Sequence, residues 1–76
     1  VDPIRLFVDF DGSIFWNGAV VDYATLQRDL AIESSRDRQP EIHIEPHRLA
    51  KYGVVAHVMA AAQREGLTKL GVIGGT

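Results

Sequence analysis

Two carboxylates stand two residues apart at the end of an apolar run, Asp9 and Asp11 in RLFVDFDGSIF, Arg5 to Phe15. Aspartates so spaced can divide a phosphoryl transfer between them: the first attacks phosphorus, the second protonates the leaving group, and Mg²⁺ joins carboxylate to phosphate. The ending GVIGGT, Gly71 to Thr76, resembles the last motif of such a phosphatase but puts Gly75 where an acidic residue should complete the Mg²⁺ site. Lys51 and Lys69 could be cast as the phosphatase lysine, but one lies near a helix start and the other begins a strand, where both read as solvated. His43, His47 and His57 are too scattered for a recognisable ligand set. Neither a metal nor a cofactor is expected.

Length weighs against the enzyme. A chain of 76 residues makes one small domain, whereas a doubly wound phosphatase core needs roughly 100 to 200 residues. With 46% hydrophobic residues the composition is globular, and in a core this small burial and chain entropy nearly balance, so a partner subunit would help. Eight basic and ten acidic residues give a net charge of -2 and form neither a basic stripe for nucleic acid nor a polybasic membrane patch. The absence of cysteine excludes a disulfide scaffold. The longest apolar candidate, VVAHVMAAA, is interrupted by His57 and falls short of the roughly 20 residues of a membrane span. Val1 is not a start methionine, so a longer parent is expected.

The elements that would position these residues follow from periodicity. Ile4, Leu6, Val8 and Phe10 alternate with Arg5, Phe7 and Asp9, the pattern of a half-buried strand with Phe10 on the core face and Asp9 pointing away. Asp11-Gly12 and Asn17-Gly18 are hairpin signals on either side of a short strand, SIFW. Two tight turns so close together indicate a meander, whereas a phosphatase loop should lead into a helix and a parallel crossover. Asp22 is a helix N-cap with Val21 placed to staple against Leu26, and Tyr23, Leu26 and Leu30 share one face. The polar loop ESSRDRQP ends that helix, EIHIE is a strand that Pro46 stops, and a second helix begins near Lys51. Val54, Val55, Val58, Met59 and Ala62 line one side of it, and Gly66 ends it. Lys69 to Ile73 is the last strand. This order predicts an α+β fold, a small mixed sheet of four or five strands with two helices packed on one face.

Over Pro3 to Gly74 the chain resembles the periplasmic domain of the ExbD/TolR family, in DGSIFWNGAVV before the first helix and in IHIEPHRLAKYGVVAHVMAAAQREGLTKLGVIG. Tyr52, Gly66, Lys69 and Gly71 sit where that family would place them. One departure is the acidic residue that many relatives carry after the central strand; Pro46 and His47 stand here instead. The resemblance implies a non-enzymatic interaction domain in the periplasm of a Gram-negative bacterium. In the full-length protein it would follow a cytoplasmic tail and a single inner-membrane helix, which carries the proton-bearing Asp; neither is in this chain. It further implies a homodimer, an ExbB-type membrane subunit reached through that helix, and a TonB-like periplasmic partner worked by the proton motive force for outer-membrane import. GVIGGT looks more like the ExbD branch, so peptidoglycan binding of the TolR type is the second reading and a truncated phosphatase using Asp9 and Asp11 a third.

Partner capture is expected at Lys69, Leu70, Gly71, Val72 and Ile73. A last strand near a sheet edge offers free N–H and C=O groups to an extended segment, and Gly71 lets another backbone approach. Leu70 and Val72 share one face, with Lys69, Gly71 and Ile73 on the other. Val72 is the residue whose loss should most damage coupling, by fixing the strand's position. Trp16, in a short strand between turns, either caps the core or anchors a partner.

Overall fold

The alternation around Leu6 builds the middle of the sheet. In the computed structural model, which describes residues 1–74, β1 (Ile4–Val8) buries Ile4, Leu6 and Val8 and turns Arg5 and Phe7 to the other face. β2 (Ile14–Trp16) pairs antiparallel with β1, and β3 (Ala19–Val21) antiparallel with β2. Asn17 (φ 48°) and Gly18 (φ 92°) both take the left-handed conformation that a two-residue hairpin turn requires. The Asn17 side-chain oxygen accepts a 2.9 Å bond from the Arg5 N–H, tying the turn back to β1.

The first strand is shorter than the alternation suggests. Asp9 N–H donates to the Ser13 carbonyl at 2.9 Å and closes the turn that leads to β2. Phe10 therefore lies in the turn and is 56% exposed, not on the core face. Its ring packs against His47, with centroids 5.5 Å apart.

α1 (Tyr23–Ser34) starts where Asp22 caps it, the carboxylate accepting from the Thr25 N–H at 2.7 Å. Leu26 and Leu30 are buried on its inner face. The cap bond holds the Asp22 carboxyl below its ordinary range, so its contribution is complete above the pKa of the unfolded chain and disappears as pH falls through the lower folded value. Asp22→Ala should lower Tm by roughly 4 °C at pH 7. In melts at decreasing pH the gap between wild type and variant should close below pH ~4; a gap unchanged at pH ~2 would show that the ionised cap is not responsible.

β4 (Ile42–Pro46) lies parallel to β1, in register from Ile4 opposite Ile42 to Val8 opposite Pro46. The strand runs through Pro46 where a stop before it was expected, and the hydrogen-bond directions explain why. His47 N–H donates to Val8 on the β1 side, whereas Ile42 N–H donates to Lys69 and Ile44 C=O accepts from Ile73 on the other. The N–H that Pro46 lacks would thus face β5 (Leu70–Val72), beyond the last of its paired residues. α2 (Tyr52–Arg64) ends in a Schellman motif: Leu67 N–H reaches the Ala62 carbonyl and Gly66 N–H the Gln63 carbonyl, with Gly66 at φ 92°.

β5 pairs parallel with β4, completing a five-stranded mixed sheet of order β3-β2-β1-β4-β5. One apolar cluster joins Leu6, Val8, Ile42 and Ile44 of the sheet to Leu26 and Leu30 of α1 and to Val55, Val58, Ala61 and Ala62 of α2. Both helices therefore cover the same face, and the fold is α+β. Among the described residues, no helix is long and apolar enough to cross a membrane.

Candidate functional site

β5 lies at a sheet edge, with β4 on one side and, among the described residues, no strand on the other. Lys69 C=O and Ile73 N–H both bond to β4, each at 2.8 Å. Because backbone groups alternate along a strand, those of Leu70 and Val72 point to the free edge. The regular strand is one residue shorter at each end than Lys69 to Ile73, although both flanking residues are bonded into the ladder.

Side chains divide between two faces. Leu70 pairs beside Ile42 and Val72 beside Ile44, and since both isoleucines are fully buried under the helices, Leu70 and Val72 lie on the helix side. Leu70 packs against the core. Val72 is 49% exposed, because its inner neighbour Ile44 is covered and its outer side is open. It lines a groove of about 400 Å³ with Pro46, Tyr52, Val55, Met59 and Ala60. On the opposite face Gly71 pairs beside His43, and a Cβ added at Gly71 would meet nothing within 4 Å. Ile73, 44% exposed, lies with Lys69, Glu41 and His43 around a shallower depression there. His43 and Glu41 are 2.8 Å apart. Arg5 grips Glu45 with two bonds of 2.8 and 2.9 Å on the uncovered face, and the guanidinium bonds hold the Glu45 carboxyl below its ordinary range.

Trp16 does not join this surface. It is half-buried against the core on β2, and β1 and β4 separate it from β5. The two carboxylates considered for phosphoryl transfer bond within their own turn: an Asp9 oxygen accepts from the Phe10 N–H at 2.8 Å, and an Asp11 oxygen from the Ser13 N–H at 2.9 Å. The bond from Ser13 holds the Asp11 carboxyl below its ordinary range. From this turn the chain enters an antiparallel strand where a phosphatase loop would enter a helix. Gly75, where that chemistry would need a third carboxylate, lies outside the described residues. Among the described residues no three His, Asp or Glu side chains gather as a metal site.

The groove itself was not anticipated. Tyr52, Ala56, Met59, Ala60 and Gln63 line it, spaced by three or four residues along α2 as a stripe beside the one that faces the core. Its trace in the sequence is that apolar residues occupy more of α2 than a single buried face needs.

The sequence has known relatives. The family model described as biopolymer transport protein ExbD/TolR matches residues 1–74. The chain belongs to the ExbD/TolR family. The biopolymer transport protein exbD2 of Xanthomonas campestris pv. campestris is 34% identical over 71 residues, covering 91% of this chain and 52% of that protein. ExbD of Pseudomonas aeruginosa is 31% identical over 72 residues, covering 95% of this chain and 54% of its own length. The chain thus spans about half the length of the curated relatives it matches. The matching family model is described as a biopolymer transport protein, and in this chain the free edge of β5 adjoins the groove lined by α2.

Proposed function

We propose that this is the periplasmic interaction domain of a proton-motive-force-driven complex. In that reading an inner-membrane helix outside this chain links it to an ExbB-type subunit. β5 then receives an extended segment of a TonB-like partner by strand addition. The single observation that carries the reading is the open edge of β5, where Leu70 and Val72 present backbone groups beside the groove. The ExbD names of the relatives favour that branch over the peptidoglycan-binding one.

Adding a peptide from the periplasmic stretch of a TonB-like protein to the ¹⁵N-labelled domain should shift the amides of Lys69 to Gly74. Shifts that cluster on α1 and α2 and spare this strand would refute strand addition. Homodimerisation belongs to the same reading; the small core favours a partner subunit, and without the membrane helices the dimer should be weak and dependent on concentration. Sedimentation that stays strictly monomeric up to ~1 mM would count against it.

A further inference from the structure

The charges of the chain are unevenly divided. Residues 46–74, which build α2, β5 and the groove, carry four basic side chains and one carboxylate, a net +3, while residues 1–45 carry four basic side chains and nine carboxylates, a net -5. All four cations of the first set, Arg48, Lys51, Arg64 and Lys69, are exposed, and none makes an ion pair among the described residues. Arg48 lines the groove, and Lys51 and Arg64 adjoin its lining residues Tyr52 and Gln63 near the two ends of α2. Arg64 also stands one turn beyond Ala60, on the groove side of the helix. Lys69 opens β5 itself. The other free edge of the sheet, β3, leads directly into Asp22.

The apolar part of the surface has a definite shape as well. Ala56, Met59 and Ala60 form a stripe of α2 that lines the groove together with Val72 of β5, and Val72 is left half open. A sixth strand paired to Leu70 and Val72 would put every second side chain under that stripe and the intervening ones on the face of Gly71 and Ile73. The small side chains of Ala56 and Ala60 leave room there for aliphatic side chains.

We infer that the β5 edge selects an acidic extended segment, with aliphatic residues at alternate positions that enter the groove beneath α2 and carboxylates toward its ends that meet Arg48, Lys51, Arg64 and Lys69. This rests on the strand-addition reading above and specifies the chemistry of the segment. The charge preference acts between exposed groups, so it depends on ionic strength and falls away as the screening length shortens to about 3 Å at 1 M salt.

Two synthetic peptides with the same Val-Ser-Val-Ser-Val centre, flanked by glutamates in one and lysines in the other, are titrated into the ¹⁵N-labelled domain at low and high salt. The acidic peptide should bind on the order of tenfold more tightly at low salt, with the ratio shrinking toward unity near 1 M. Its shifts should centre on Leu70 and Val72. The double variant Arg48→Glu/Arg64→Glu, altered only at exposed positions, should stay folded and abolish the preference. Equal affinities with shifts on β5 would overturn the acidic selectivity and leave strand addition standing. Shifts confined to other elements, or no binding by either peptide, would overturn both.

Discussion

Val72→Pro should leave the stability of the domain nearly unchanged and weaken capture of a partner strand about tenfold or more, whereas Ile73→Pro should destabilise the fold itself. The two positions are neighbours, but their N–H groups point in opposite directions. Ile73 N–H donates to the Ile44 carbonyl at 2.8 Å, so a proline there removes a ladder bond and strands the acceptor, at about 1–3 kcal/mol. For so small a domain that is a fall in Tm of roughly 10 °C. The Val72 N–H faces the free edge, where proline is tolerated, and Gly71 before it is already extended in β5. A strand added at that edge would lose a donor and meet the ring, and one lost hydrogen bond of about 1.4 kcal/mol corresponds to a factor of ten in affinity. Thermal melts and peptide titration on both variants measure the contrast. Unchanged peptide affinity in a folded Val72→Pro variant would exclude the β5 edge as the docking line.

The features that sequence reasoning found depend on neighbours close along the chain. Asn17-Gly18, the Asp22 cap and the Gly66 stop each involve backbone a few residues away, and each is present as expected. Alternation likewise revealed Ile42 and Ile44, because a buried strand face repeats every second residue whatever it pairs with. Two boundaries were misplaced for a common reason, that a ladder ends where pairing ends and not where the apolar pattern does. Phe10 continues the pattern of β1 but falls in the turn closed by Asp9 and Ser13, while Pro46 interrupts the pattern of β4 but stays in the ladder because its missing N–H faces away from β1.

The proposed partner surface is only half legible in the sequence. That Lys69 to Ile73 forms a strand follows from local sequence; that it lies outermost follows from the crossovers through α1 and α2, which set the order of the sheet. The exposure of Val72 depends on that order, since the same residue between two strands would be core. The groove requires more still, because α2 and β5 line it jointly and it depends on how the helix sits on the sheet. Trp16 shows the converse: an aromatic between two turns is compatible with an anchor or a core cap, and only the position of β2, with β1 and β4 between it and β5, separates it from the proposed docking line.

Ile44→Ala should be among the most damaging single changes, lowering stability by about 3 kcal/mol. Ile44 is fully buried, belongs to the cluster that joins the sheet to both helices, and supplies the carbonyl that holds Ile73. A chain of 76 residues has a total stability of roughly 4 to 11 kcal/mol, so this one cavity would remove a large share and depress Tm by roughly 15 °C. Ile44→Val removes a single methyl group at about 1 kcal/mol and keeps the fold. The milder variant also separates two roles for Val72, which packs beside Ile44 in the register of β4 and β5. If Val72 acts by fixing β5 in place, Ile44→Val should loosen that support and weaken peptide binding about as much as Val72→Ala does. If Val72 instead meets the incoming strand directly in the groove, Val72→Ala should weaken binding several-fold with little change in Tm, and Ile44→Val should do the reverse. Measuring both quantities on both variants decides between support and contact, and a Tm for Ile44→Ala within about 3 °C of wild type would contradict the central place given to β4.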